Sequence, residues 1–437
     1  MLLNFSMQNY KSFWDKASFS MTPAPRQSGL DYSIQSEKIG SKTYRGLSSA
    51  VIYGPNAAGK TNLIGAMDTM KSIVLRGNIK NAEAIASPNQ AAYFLELIPN
   101  CEAAAAPVTF SVRFLEQGLV FDYAFSAMIG GFLEKNAGRY IESETLSINE
   151  KLVFDRTRNG LFLDTPAPLR KYVYPMFKKT PSAAIDIAMG SLSDNELFLC
   201  NGFKSIVSKE LVSILLNWFE NKFTVIYRAD AMQTMRRFAD PADGTIYVEK
   251  TLTEAARAFG ITANALGYRT DGEDVALCSL LENKHIAILA ESFESYGTIR
   301  FVHEFPLIIR ALLTGGTLVM DEFDASIHPI ALMNIVNAFH NDEINLHHAQ
   351  LIFNTHNPIF LDASLFRRDE IKFVERSKDT NRSIHYALSD FKTANGIRKG
   401  EDYMSNYFVS RYGAIDEVDF TPLLKKVVQE SAVYTDG

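Results

Sequence analysis

Apolar and polar positions alternate from the start of the chain. Leu3, Phe5 and Met7 fall on one side of an extended segment, the period of a half-buried strand, and residues 17–19 predict a second short strand. A third apolar run, residues 50–53, leads straight into Gly54. Beyond it Leu63, Ile64, Met67, Met70 and Val74 recur at helical spacing up to Gly77. The predicted order is strand, glycine-rich turn, helix.

From residue 81 to about 166 the pattern changes to short β-rich runs: AAYFLELI, VTFSVRFLE, LVFDYAFSAMI, RYIESETLSI, KLVFDR and LFLD. Turn residues separate them, which predicts an antiparallel lobe, with NCEAAAAP as a loop between two strands. Residues 167–284 read as mainly helical, as in SKELVSILLNWFENK, with one strand at FTVIY. After residue 285 the α/β alternation returns. GTLVMDE predicts a buried strand, PIALMNIVNAFH a helix opened by Pro329, and QLIFNT another strand; IKFVE and SIHYA flank a polar hairpin-like loop. The predicted fold is α/β. One α/β unit is assembled from residues 1–80 and 285–437, interrupted by an antiparallel β lobe at 81–166 and a helical insertion at 167–284.

Composition narrows the class of partner only slightly. The chain has 437 residues, with 44 Lys and Arg against 50 Asp and Glu, a formal charge of −6. That balance excludes a wholly basic nucleic-acid coat and leaves local basic patches open. Cys101, Cys200 and Cys278 lie too far apart to suggest a disulfide framework or a zinc site, which fits a reducing compartment. Neither a leader pattern nor an apolar run of about 18 residues is seen, so the expectation is a cytoplasmic protein with no membrane partner.

Three motifs carry chemistry. The first is GPNAAGKT, with Gly54, Pro55, Asn56, Ala57, Ala58, Gly59, Lys60 and Thr61 in the G-x-x-x-x-G-K-[ST] spacing, followed by Asn62. Its glycines let backbone amides face a phosphate; Lys60 reaches the β and γ phosphates and Thr61 offers a hydroxyl to Mg²⁺. The second is TLVMDEFD, where a buried strand runs into Asp321 and Glu322. Carboxylates at the C-terminal edge of a parallel sheet lie where ligands bind. Asp321 then belongs to the Mg²⁺ shell, and Glu322 orients and polarises the attacking water. The third is QLIFNTHNP, which sets His356 beyond another strand, within reach of a γ-phosphate. Alone, such a histidine is an ordinary surface or capping residue; one helix and one strand after the acidic pair, it becomes a candidate.

A fourth segment, ESFESYGTIRF, places Ser295 and Gly297 before an apolar helix. This is an N-terminal cap by default, and the same geometry aims a hydroxyl and amides at an anion. His340, His347 and His348 match no metal spacing and read as a solvated helix end, while Arg367 and Arg368 read as a solvated run open to contact with a partner or nucleic acid. No N-K-x-D tetrad is present, since NKHI at Asn283 lacks the aspartate, so ATP is favoured over GTP.

Together these residues resemble the RecF- and SMC-like branch of the ABC ATPases. The likeness lies in LLNFSMQNYKSFWDKASFSM, in GPNAAGKTN with Asn56 and Asn62, in the D-E pair, in DASIHP from Asp324 and in Thr355–His356. ESYGT, DEFDASIHP, FNTHNPIFLD, FRRDEIKFVE, LSDFK and RYGAI are similar to the compact RloA and AbiL type of bacterial anti-phage ATPase, which includes the AriA subunit of the PARIS system. The resemblance covers both ends of the chain. It implies a head-to-head dimer, with room for a higher oligomer, in which each ATP lies between one subunit's phosphate loop and its partner's Ser295 and Gly297, with Asp324 on the D-loop between subunits. Ala57 stands where glycine is common, and Gln90 is the candidate Q-loop glutamine. The resemblance further implies a separate toxic effector, such as a TOPRIM-like nuclease, controlled by an ATP-hydrolysing sensor or scaffold. The alternatives are a RecF-like DNA-maintenance ATPase that binds DNA directly and a nucleotide-gated assembly platform.

Overall fold

The computed structural model describes residues 1–25, 27, 29–80, 95–102, 106–132, 134, 138–227, 246–248, 250–258, 260, 264–271, 274–281, 286–324, 327–391, 401–415 and 419–433. Gln90 lies outside them. Two large sheets form the frame, and one helix between them carries the glycine-rich turn.

The first sheet has seven antiparallel strands. It contains β1 (Leu2–Gln8), β2 (Ala17–Ser20), β6 (Val108–Glu116), β7 (Leu119–Met128), β8 (Tyr140–Ile148), β9 (Lys151–Thr157) and β10 (Gly160–Leu163). Their order is β10-β9-β8-β7-β6-β1-β2, so the opening strand pair continues the lobe's sheet through β1 against β6. Period-two patterning explains its sidedness: Phe110, Val112 and Phe114 on β6, and Phe121, Tyr123 and Phe125 on β7, are buried between half-exposed neighbours. A small hairpin of β3 (Ile34–Ile39) and β4 (Lys42–Leu47) lies between β2 and the next sheet in sequence.

AAYFLELI was predicted as a strand, yet its described part, residues 95–98, is irregular. Its polar groups are taken by the loop after β1. Lys11 N donates to the Ile98 carbonyl at 3.0 Å, and Lys11 Nζ pairs with Glu96 at 2.5 Å. Residues 100–102 of the predicted loop form a turn there, tied to Asn9 by the Asn100 backbone N–H.

The second sheet runs β11-β16-β17-β5-β18-β19. Its members are β5 (Ser49–Tyr53), β11 (Phe223–Ile226), β16 (Thr317–Met320), β17 (Gln350–Asn354), β18 (Ile371–Arg376) and β19 (Ser383–Ala387). Every pairing is parallel except β18 with β19. Buried on both faces, β5, β16 and β17 read as unbroken apolar runs, as a covered parallel sheet requires. Ala50 and Ile52 join the core shared with the first sheet; Val51 and Tyr53 join the core on the opposite face. Helix α1 (Lys60–Arg76) is packed in the first core through Leu63, Met67, Met70 and Val74. Helices α3 (Tyr296–Thr314) and α4 (Pro329–His340) contribute to the second.

Residues 167–222 are mainly helical, and the stretch from Phe223 onward departs from a helical reading. Helix α2 (Lys209–Asn217) and its π-helical extension Trp218–Lys222 are present, and they deliver β11 to the edge of the parallel sheet. The later part is a four-stranded antiparallel sheet of β12 (Ile246–Val248), β13 (Ala265–Asp271), β14 (Asp274–Leu281) and β15 (Ile286–Leu289). Asp271 pairs with Asp274, so the two central strands of this sheet are sequence neighbours, and their pairing outweighs the helix-forming alanines and leucines within them. Among the described residues, no helix is long and apolar enough to cross a membrane.

Candidate functional site

β5, β16 and β17 are parallel and adjacent in the sheet, so their C-terminal ends share one edge. The three sequence motifs leave from that edge. The glycine-rich loop turns there because two positions have no room for a side chain. A Cβ on Gly54 would lie 2.2 Å from the Val374 carbonyl oxygen. Gly59 adopts φ +115°, with Ser383 Oγ 2.6 Å from any Cβ. Ala57 holds φ +60°, the conformation that makes glycine common at this position. The loop is braced from two sides: Ser383 Oγ donates to the Ala58 carbonyl at 2.5 Å, and Asn62 Nδ2 donates to Ser12 Oγ at 2.8 Å.

Lys60 is 6% exposed, and its ammonium donates to the carbonyls of Gly54 at 2.7 Å and Pro55 at 3.0 Å. Burial lowers its pKa to about 8, against the pull of Asp321, Glu322 and Asp324. Thr61 Oγ1 donates to Asp321 Oδ1 at 3.1 Å. Burial raises the pKa of Asp321, while hydrogen bonds from Asn354 and Thr61 oppose the shift. The Thr61 hydroxyl and the Asp321 carboxylate thus form a convergent pair of hard oxygen donors, which fits Mg²⁺ beside a polyphosphate. Such an ion would neutralise phosphate charge and polarise the P–O bonds.

Glu322 is exposed and sits at φ +52°, turned sharply away from the strand line. His356 is exposed too, yet partial desolvation by its neighbours and the nearby Lys60 lower its pKa, with Asp324, Glu322 and Asp321 opposing. A cavity of about 340 Å³ is lined by Asn56, Ala57, Gly59, Lys60, Thr61, Asn62, Glu322, Asn354, His356 and Arg376. Asp321 adjoins it through Thr61. Asp324 accepts from Thr355 Oγ1 at 2.5 Å, tying the turn after β16 to the one after β17.

Ser295 and Gly297 are not in that lining. Ser295 is the N-cap of α3, its Oγ accepting from Thr298 N at 3.1 Å; it is exposed, whereas Gly297 is buried in the first turn. The preceding Glu294 anchors this segment to the small sheet, accepting from Asn264 Nδ2 at 3.0 Å and from Ser279 Oγ at 2.6 Å.

Four residues that the sequence reading did not single out shape the site. Asn354 donates through Nδ2 to Asp321 Oδ1 and accepts the Glu322 backbone N–H on Oδ1, clamping the acidic turn from the neighbouring strand. Arg300, on α3, donates to the Glu322 carbonyl at 2.5 Å and the Asp321 carbonyl at 3.3 Å, and it pairs with Glu304 at 2.7 Å. Burial raises Glu304 to about 7, with Arg300 opposing. Arg376, at the end of β18, reaches the Ala57 carbonyl.

Two expectations are corrected. Arg367 and Arg368 are buried. Arg367 forms a two-pronged pair with Asp369 and also donates to the Gly29 carbonyl, while Arg368 donates to the carbonyls of Leu388 and Phe391. Both serve the fold. His340 is likewise buried, its Nε2 2.7 Å from Ser49 Oγ and 3.4 Å from Glu370, because α4 packs its last turn against the start of β5.

A glycine-rich loop, a lysine and a hydroxyl–carboxylate pair at the C-terminal edge of a parallel sheet define a P-loop nucleoside-triphosphate site. The chain belongs to the family described as "AAA domain, putative AbiEii toxin, Type IV TA system", whose model matches residues 49–172 and 228–362. It is therefore an ATP-binding P-loop ATPase by class. No curated protein matches the sequence. Among solved structures, it is similar to the SMC head domain from Thermotoga maritima: 13% identity, 88% of this chain and 98% of that one, TM-score 0.38. It is also similar to an SMC head bound to the C-terminal winged-helix domain of ScpA: 11% identity, 91% and 99% coverage, TM-score 0.39.

Proposed function

We propose that the chain is an ABC-type ATPase of the SMC- and RecF-like branch which hydrolyses ATP with Mg²⁺ held by Thr61 and Asp321. The observation that carries this reading is the meeting of Lys60, Thr61, Glu322 and His356 on one cavity wall, with Asp321 bonded to Thr61. Lys60 and the loop amides of residues 54–62 bind the phosphates. Glu322, held by its own backbone and exposed beside them, orients the attacking water and polarises it. His356, kept neutral by its surroundings, contacts the γ-phosphate.

The exposed Ser295, at a helix start outside the cavity lining, suits a contact made to the ATP of a second subunit, with Gly297 presenting its amide and Asp324 lying between subunits. A homodimer is thus part of the proposal, as is assembly into a larger oligomer. The proposal extends to a cytoplasmic role in bacterial defence, with this chain as sensor or scaffold for a separate toxic effector such as a nuclease; the family's description, which names a toxin and a toxin–antitoxin system, supports the link to toxicity alone. Burial of Arg367 and Arg368 removes the two residues read as open to contact with a partner or nucleic acid, so neither supports the RecF-like alternative.

The test is Glu322→Gln in purified protein, read by ATP binding, single-turnover hydrolysis and sizing with ATP. ATP binding should persist and favour a dimer while hydrolysis falls by about 10²–10⁴-fold, the usual worth of a positioned general base. Turnover equal to that of the unaltered protein would remove Glu322 from the role.

A further inference from the structure

The cavity wall opposite the acidic turn carries a second fixed cation. Arg376 ends β18, the strand that flanks β5 on the side away from β17, so the parallel register brings it beside the phosphate loop. Its Nε donates to the Asn381 carbonyl at 2.9 Å and its Nη1 to the Ala57 carbonyl at 3.3 Å. These bonds pin the planar group across the loop, while among the described residues the Nη2 amino group has no hydrogen bond. Of the residues lining the cavity, Lys60 and Arg376 are the two strong bases.

The charge balance explains why a second cation is needed. A nucleoside triphosphate brings several negative charges beside Asp321 and Glu322. Lys60 is partly committed to the loop carbonyls of Gly54 and Pro55, which leaves less of its ammonium for the phosphates. An arginine keeps its charge throughout, and its fork matches phosphate oxygens.

Resting on the nucleotide-site reading above, we propose that Arg376 is a phosphate-binding residue of the same subunit, donating through its open edge to the polyphosphate of the bound nucleotide. Its bond to Ala57 sets the angle of approach. It thus acts both as a ligand contact and as a brace for the loop.

The experiment measures equilibrium binding of ATP, ADP and inorganic tripolyphosphate to the full chain and to Arg376→Ala, Arg376→Lys and Lys60→Ala, with thermal melting as a folding control. Arg376→Ala should weaken ATP and tripolyphosphate by about tenfold or more, the loss expected for one hydrogen bond to a charged group. Arg376→Lys, which keeps the charge but loses the fork, should bind more tightly than Arg376→Ala and more weakly than the unaltered protein. Two results would overturn the proposal: Arg376→Ala binding within about twofold of the unaltered protein while Lys60→Ala fails to bind, or Arg376→Lys as impaired as Arg376→Ala, which would leave loop bracing alone. Unaltered protein that binds neither ATP nor ADP would overturn the nucleotide-site reading together with this one.

Discussion

Arg300 donates a 2.5 Å hydrogen bond to the main-chain carbonyl of Glu322, so the helix that begins at Ser295 grips the backbone of the acidic turn. A shift of α3 is thereby passed to the turn without any change in Glu322's own side chain. Arg300→Ala should be costly twice over. It leaves Glu304, 0% exposed, without its ion partner, and breaking a buried pair costs about 3–5 kcal/mol. It also frees the turn. The double change Arg300→Met with Glu304→Leu separates the two effects: urea unfolding should recover most of the stability, while ATP turnover stays depressed by up to about a hundredfold, the scale of a small misplacement of reacting groups. Full activity in the double variant would make the pair a matter of folding only.

Asn354 is expected to act through the carboxylate it holds. Asn354→Ala removes the donor to Asp321 and the acceptor for the Glu322 N–H together. Residues that orient a metal ligand commonly contribute about 10–100-fold to metal affinity. Titrating Mg²⁺ against ATP binding should show a loss on that scale, and Asn354→Asp should be worse, because it sets a like charge against Asp321. Unchanged Mg²⁺ dependence in both variants would argue that Asp321 needs no such support.

The lysine offers a pH signature. Burial takes Lys60 from its ordinary 10.5 to about 8. Between those values the folded chain binds fewer protons than the unfolded one, so this residue's share of stability is present above 10.5 and is lost as pH falls through 8. Nucleotide binding has the opposite sense, since phosphates prefer the charged lysine. Affinity for ATP should hold up to about pH 8 and then decline, with proton uptake on binding near pH 8.5 visible by calorimetry in buffers of different ionisation enthalpy. A flat profile from pH 7 to 9.5 would show that Lys60 stays charged without its ligand.

At Ala57 the φ of +60° places an alanine in left-handed backbone, a conformation that costs a non-glycine residue about 1–2 kcal/mol. Glycine gives back part of that gain through its freer unfolded state. Ala57→Gly should therefore stabilise the chain by about 0.5–1 kcal/mol in urea unfolding with nucleotide affinity little altered. A destabilised variant would show that the alanine methyl contributes packing.

The residues legible in the sequence are those whose role follows from local order along the chain. Lys60, Thr61, Asp321, Glu322 and His356 each stand just beyond an apolar strand, and a parallel sheet brings strand ends to one edge whatever the connections between them. Asn354 was hidden because its role depends on the register of β17 against β16, which pairs Phe353 with Met320 and so carries Asn354 level with Asp321. Arg300 and Glu304 look like an ordinary i, i+4 surface pair on a helix, and only the packing of α3 on β16 buries them. Arg367 and Arg368 read as solvated in the sequence and are buried for the same reason. In the fold, the parallel core was foreseeable from its unbroken apolar runs. The continuity of β1 with β6 was not, because a strand's alternation says which face is buried but not which neighbour it takes.

The order of strands in the parallel sheet has a consequence for how the chain comes to its native state. β5 lies near residue 50, yet both of its neighbours, β17 and β18, lie some three hundred residues further along. The antiparallel sheet, by contrast, draws all its strands from the first 163 residues and pairs most of them by short hairpins. Closing distant contacts is slow compared with zipping local ones. During synthesis the lobe should acquire protease resistance first, with the apolar flanks of β5 waiting for partners not yet translated. A nucleotide site bounded by β16, β17 and β18 then matures only after most of the polypeptide has emerged, so a truncated product could be well folded in its first half and still hold no triphosphate.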